Sequence, residues 1–301
     1  MITLAVDIGG TKISAALISD DGSFLLKKQI STPHERCPDE MTGALRLLVS
    51  EMKGTAERFA VASTGIINNG VLTALNPDNL GGLKEYPLKN IMEDITGLNG
   101  SVINDAQAAA WAEYTVLPKE ICDMVFITVS TGVGGGIVVN RKLLTGVSGL
   151  AGHVGHILSG VTDTECGCGR RGCVEAVSSG RAIMGAAKNK LAGYSTKYIF
   201  ELARQGYKEA EFLTERSAST IAELIVSLKL LLDCQVVVVG GSVGLADGYV
   251  QKVSKHLSIY SEICNVMLFP AYFRSDSGLI GATLWDRDCI CLLYTSPSPR
   301  D

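Results

Sequence analysis

Two stretches of the chain repeat one pattern: an apolar strand, a glycine-rich turn and a second strand. The first runs from Thr3–Val6 through Asp7-Ile8-Gly9-Gly10-Thr11-Lys12 into Ile13–Ser19. The second runs from Met124–Val129 through the turn Thr131-Gly132-Val133-Gly134-Gly135-Gly136 into Ile137–Asn140. A third apolar strand, Val236–Val239, ends at Gly240-Gly241-Ser242, with a helix expected to follow. Two similar halves with crossing helices predict a duplicated α/β architecture.

The intervening sequence supplies the remaining elements. Asp20-Asp21-Gly22 turns the second strand into a third near Phe24–Ile30, making a β-meander. Met41, Leu45, Leu48 and Met52 step by helical spacing and give one apolar face, with Pro38 placed to start the helix. Phe59–Ala62 reads as a short buried strand ending at Ser63-Thr64-Gly65, and loop chemistry follows from Asn68 to Gly82, centred on Asn76-Pro77-Asp78-Asn79. A strand near Val102–Ile103 runs into Asn104-Asp105, and the alanine-rich Ala106–Tyr114 is strongly helical. These elements predict a first domain over 1–115 and a larger one over 116–288, with a last helix near 277–288 able to pack back on the first. The segment 289–301 shifts abruptly in composition, resembles translated vector sequence, and is set aside from fold reasoning.

A chain of 301 residues, 47% hydrophobic and 19% charged, buries a sizeable core and is not disordered as a whole. Its net charge of −4 argues against a nucleic-acid or membrane-surface partner. The most apolar stretch, Ile221 to Val239, is broken by Glu223, Lys229 and Asp233, and the N-terminus lacks a basic region. A reducing, cytoplasmic setting is therefore expected for its nine cysteines.

The turn Asp7–Lys12 sets an acid at a strand end, then two glycines, a hydroxyl and a cation. Glycines let backbone N–H groups approach phosphate oxygens, Thr11 and Lys12 add donors, and Asp7 suits Mg²⁺. An ordinary hairpin turn has the same composition. Recurrence at Gly132–Gly136 and Gly240-Gly241 favours three backbone sites converging on one nucleotide. No Gly-Lys-Ser/Thr is present, so this is not a P-loop.

His156, Cys166, Cys168 and Cys173 form a His-x9-Cys-x-Cys-x4-Cys set. Three thiolates and one imidazole complete a tetrahedral, closed and hence structural Zn²⁺ shell. Disulfides or unrelated thiols are the alternatives, but a Cys-x-Cys pair bridges poorly. Such a metal would fix the loop carrying His153, His156 and Glu175. Asn104-Asp105 sits between a strand and a helix. It reads equally as a helix cap and as a catalytic pair in which Asp105 takes the proton of an attacking hydroxyl while Asn104 binds a neighbouring one.

Together these pieces resemble the ROK family of sugar kinases and sugar-responsive repressors, over about residues 2–286. Its phosphate turn matches Asp7–Lys12, its second glycine-rich turn matches Thr131–Gly136, and its zinc motif Cys-x-Cys-Gly-x-x-Gly-Cys-x-Glu matches Cys166–Glu175 in full. The resemblance implies the ribonuclease H-like two-domain fold of hexokinase, actin and Hsp70, with an active-site cleft. It implies ATP and Mg²⁺, with nucleotide contacts from Ala5, Val6, Asp7, Ile8, Gly9, Gly10, Thr11 and Lys12, from Gly132, Val133, Gly134, Gly135, Gly136, Ile137, Val138 and Val139, and from Gly240 and Gly241. Asp105 is implied as general base, with Gly65, Asn76, Asn104, His153, His156 and Glu175 around the sugar, and a homodimer as the assembly. Most sugar kinases of the family carry Glu-x-Gly-His where this chain has His153-Val154-Gly155-His156. The segments Gly149–His156, Ser63–Ile67, Ala74–Pro77 and Asn104–Glu113 resemble the branch that phosphorylates N-acetylmannosamine at its 6-hydroxyl in sialic-acid breakdown. Enzymes acting on glucose or N-acetylglucosamine are the alternatives. A repressor would need a winged helix ahead of the first turn, and the chain reaches Asp7 at once.

Overall fold

The computed structural model describes residues 1–33, 37–76 and 80–295, with side chains to residue 290. His34, the loop residues Pro77, Asp78 and Asn79, and the end of the 289–301 segment lie outside the described residues. Backbone contacts divide the chain into two units. One comprises Met1–Thr115, Thr145–Leu150 and the chain from Asp276 on; the other comprises Val116–Leu144 and Ala151–Ser275.

The first unit opens with the expected meander, β1 (Thr3–Ile8), β2 (Lys12–Ile18) and β3 (Phe24–Ser31). There follow α1 (Pro38–Val49), β4 (Arg58–Ser63), a small hairpin of β5 (Ile66–Asn68) and β6 (Val71–Thr73), α2 (Leu88–Thr96), β7 (Gly100–Asn104) and α3 (Asp105–Thr115). The sheet order is β3-β2-β1-β4-β7, with the meander antiparallel and β4 and β7 parallel to β1. Alternation along β1 splits its two faces. Leu4, Val6 and Ile8 join the core formed with Met41, Leu45 and Leu48 of α1 and Leu88, Met92 and Ile95 of α2. Met52 lies beyond the end of α1 but is fully buried in the same core.

The second unit repeats the plan. It contains β8 (Met124–Val129), β9 (Val133–Val139), β10 (Lys142–Leu143), α4 (Val174–Ser178), α5 (Gly180–Ala186), α6 (Thr196–Arg204) and α7 (Lys208–Leu232). Then come β11 (Val236–Gly240), α8 (Gly241–Gly244), α9 (Tyr249–Leu257) and β12 (Met267–Pro270). The order β10-β9-β8-β11-β12 has the same pairing directions as the first sheet. Its core sets Val125, Ile127, Val237 and Val239 against Ile221, Leu224 and Leu228 of α7. The apolar stretch Ile221 to Val239 is thus the end of α7, a left-handed cap at Asp233, and β11. No described helix is long and apolar enough to cross a membrane.

The last helix, α10 (Ser277–Thr295), belongs to the first unit and runs on into the compositionally odd segment. Its Leu279 packs on the second face of the first sheet, against Ala5, Ala16 and Ile18. Small alanines on that face let the helix come close. Arg58 of β4 grips Asp286, which is fully buried, through two hydrogen bonds of 2.6 and 2.9 Å. Trp111 of α3 donates to Asp288 at 2.7 Å.

One expected boundary is corrected. The turn predicted over Thr131–Gly136 is tighter: the Ser130 N–H bonds the Gly132 carbonyl, and β9 already begins at Val133. Gly134, Gly135 and Gly136 are therefore strand residues, paired with Thr128, Ile127 and Phe126. The reason is packing. The loop 152–155 lies directly on β9, and a Cβ on Gly135 would stand 2.7 Å from the Val154 side chain and 2.6 Å from the Phe126 carbonyl.

Candidate active site

In the first unit, the turn Gly9–Thr11 is a hairpin closed by a Gly9 N–H bond to the Lys12 carbonyl and anchored by Thr32, whose hydroxyl donates to the Gly9 carbonyl. Gly10, Thr11 and Lys12 are exposed, and among the described residues Lys12 has no ion pair. Asp7 is the penultimate residue of β1, which feeds this turn, and is half-buried. Crowding by protein, and next the nearby charge of Asp105, push its pKa up to about 7, against the pull of Lys12. Gly278, which no motif marks in the sequence, lies against the Asp7 carboxylate.

The Asn104-Asp105 step stands at the start of α3. Asn104 is the cap: its side-chain oxygen accepts from the Ala106 and Gln107 N–H groups at 3.0 and 3.1 Å, satisfying the start of α3. Its amide also donates to the Gly65 carbonyl at 2.9 Å. Gly65 has a φ of +99°, and this left-handed turn between β4 and β5 brings its carbonyl to Asn104. Asp105 accepts from the Ala106 N–H at 2.8 Å. Enclosure by protein raises its pKa to about 6, partly offset by backbone N–H groups and Asn104. A carboxylate poised near neutrality, held by a rigid cap, is suited to accept a proton. Asn76 is buried in the same unit.

In the second unit, Glu175 stands in the first turn of α4 and accepts from the Val133 N–H at 2.9 Å. A Cβ on Gly132 would stand 2.5 Å from that carboxylate and would push it from its place. The His153–His156 turn is pinned to the same strand: a Cβ on Gly155 would lie 2.0 Å from the Val133 carbonyl. The two imidazoles are near-parallel, 6.5 Å apart. Gly240 and Gly241 end β11 and begin α8.

The cysteine loop closes on His156. His156 Nδ1 and the sulfurs of Cys166, Cys168 and Cys173 all lie within 4.8 Å of one another. Cys168 and Cys173 sulfurs are 3.7 Å apart, and Cys166 sulfur is 3.6 Å from His156 Nδ1. For Zn–S bonds of about 2.3 Å and Zn–N of about 2.0–2.1 Å, a tetrahedron has edges of ~3.8 Å between sulfurs and ~3.6 Å between sulfur and nitrogen. The donor set and its spacing therefore fit a tetrahedral zinc shell. Cys166, Cys168 and Cys173 are all free of disulfides.

The ROK family profile matches residues 3–288. An N-acetylmannosamine kinase of Escherichia coli O9:H4 is 54% identical over 284 residues, 94% of this chain and 98% of that protein. A ROK family glucokinase from Streptomyces griseus, solved with glucose and AMPPNP, superimposes with a TM-score of 0.83 at 30% identity, over 96% of this chain and all of that one. A ROK hexokinase from Thermus thermophilus gives 0.82 at 30% identity, over 97% of this chain and 99% of the other. The fold is the duplicated actin/hexokinase type of these neighbours, and the chain belongs to the ROK family.

Proposed function

We propose that the protein is an ATP-dependent sugar kinase that phosphorylates N-acetylmannosamine at its 6-hydroxyl. The observation that carries phosphoryl transfer is Asp105, a carboxylate raised to about 6 at the capped start of α3 and next to Asn104. Similarity to N-acetylmannosamine kinases across nearly the whole chain supports the choice of sugar.

Asp105 takes the proton of the 6-hydroxyl as its oxygen bonds to the γ-phosphorus. The bond from that phosphorus to the bridging oxygen breaks, and ADP leaves. Such a transition state asks mainly for positioning and charge stabilisation. Lys12, the Gly9–Thr11 turn and the strands carrying Ala5 to Ile8 and Val133 to Val139, with Gly240 and Gly241, are the nucleotide contacts of this reading. Mg²⁺, held through Asp7, would neutralise phosphate charge. Asn104, Gly65, Asn76, His153, His156 and Glu175 hold the sugar. His156, Cys166, Cys168 and Cys173 hold a structural Zn²⁺ that fixes the loop bearing His153 and His156. A cytoplasmic homodimer completes the reading.

The test is a coupled ADP-release assay with Mg-ATP on N-acetylmannosamine, N-acetylglucosamine, glucose and mannose at matched concentrations. Preference for N-acetylmannosamine is expected. Preference for glucose or N-acetylglucosamine would overturn the substrate while keeping the kinase. In the same assay His153→Glu, which restores a carboxylate acceptor where an imidazole now stands, should shift the ratio of kcat/KM between sugars and leave the KM for Mg-ATP unchanged.

A further inference from the structure

We infer that Gly278, in the first turn of α10, is a positioning residue for the Asp7 carboxylate. A Cβ built on Gly278 has three nearest neighbours, and all belong to that carboxylate: Oδ2 at 2.7 Å, Cγ at 2.9 Å and Oδ1 at 3.2 Å. Glycine costs about 0.5–1 kcal/mol relative to alanine in a helix interior and less in the first turn, so the reason for Gly278 lies in what a Cβ would meet. One helical turn on, Gly281 has a different one. Its Cβ would meet the Ala108 carbonyl of α3 at 1.8 Å, so backbone packing between α10 and α3 requires it. At Gly278 the atoms that stand nearest are the end of one side chain.

That side chain has little else to hold it. Among the described residues no hydrogen bond or ion pair fixes the Asp7 carboxylate; the charges of Asp105, Lys12, Asp276 and Lys27 act on it only through space. Its place is set by packing, and the bare Cα of Gly278 is the wall it rests on. The opposing wall is equally firm. Asp7 belongs to β1, paired on both sides with Ser14 and Ala62, while α10 is locked by Arg58–Asp286 and Leu279. A methyl group at 278 therefore displaces the carboxylate and not the helix. Displacing a charged group by about 1 Å costs on the order of 10²-fold where its placement matters.

The inference rests on the reading of Asp7 as the Mg²⁺ and phosphate residue. Its test compares Gly278→Ala, Asp7→Ala and the double variant, by thermal unfolding, steady-state kinetics and Mg²⁺ titration of activity. Gly278→Ala is expected to melt within a few degrees of the parent, to lose about 10–100-fold in kcat/KM for Mg-ATP, to need more Mg²⁺, and to keep its KM for the sugar. In the Asp7→Ala background the same change is expected to alter nothing further, because the carboxylate it pushes is gone. Should Gly278→Ala melt early, the Asp7→Ala background must restore its Tm. Equal effects of Gly278→Ala with and without Asp7 would overturn the inference alone. Full activity of Asp7→Ala would overturn the reading of Asp7, and the inference with it.

Discussion

At the residue scale the chemistry concentrates on two carboxylates whose pKa values the fold pushes upward. Asp105 at about 6 and Asp7 at about 7 both bind protons more tightly in the folded chain than an ordinary aspartate does. Between about pH 4 and 7 the native state then holds more protons than the unfolded one, and stability falls as pH rises through that window. Activity runs the other way, because a general base must be ionised. The acid limb of kcat/KM is expected near pH 6, and Asp105→Asn should lower kcat by about 10²–10⁴-fold at pH 8 while sugar and ATP still bind. The same variant should melt at a higher temperature than the parent at pH 8, the gap closing toward pH 4. Near-normal turnover of Asp105→Asn would remove the residue from the base role. The sequence left Asn104-Asp105 poised between capping and catalysis because both uses want the same residue types. In the structure Asn104 accepts from Ala106 and Gln107 and Asp105 shares the Ala106 N–H, so capping falls mainly to Asn104, and the base role of Asp105 rests on the variant above.

At the element scale the cysteine loop shows what spacing makes legible. The candidate ligand set could be written down from the chain alone, since Cys-x-Cys with glycines around it has few other uses, and the structure brings His156, Cys166, Cys168 and Cys173 together. The glycine-rich strand shows the opposite. Gly134–Gly136 looked like a turn because glycine favours turns, yet they lie in β9, where the 152–155 loop presses on them. That contact joins residues distant in sequence, so no local pattern announces it. Gly278 was illegible for the same reason, its partner being Asp7 at the far end of the chain. The loop carries its own prediction. Purified protein should hold about one zinc per chain, and Cys166→Ala or a strong chelator should remove it. Sugar affinity should fall before ATP affinity, because His156 and the strand contact at Gly155 sit on the loop itself. Metal-free protein with unchanged melting and sugar binding would sink the structural-zinc reading.

At the scale of the whole molecule, the duplicated pattern of strands, turns and helices was readable because each copy uses local chemistry, and the two sheets indeed share one strand order. The chain nonetheless closes its first unit with its last helix. The first sheet is built by residue 104, but one face of β1 and β2 is covered by Leu279, and Arg58 finds its partner only at Asp286. Removing one member of such a buried pair costs about 3–5 kcal/mol, a large share of the ~5–15 kcal/mol that holds a typical protein folded. Loss of the Leu279 side chain from its site adds about 2–5 kcal/mol. A chain ending at Ser275 is therefore expected to be insoluble or to lack a cooperative melt. A chain ending at Asp288 keeps Leu279, Asp286 and the Trp111–Asp288 bond, and should fold and turn over sugar like the full-length protein. Circular dichroism melts and the ADP-release assay on the two truncations read this directly. If the shorter chain folds and works, α10 is an accessory; if the longer one fails, the residues after Asp288 are part of the fold.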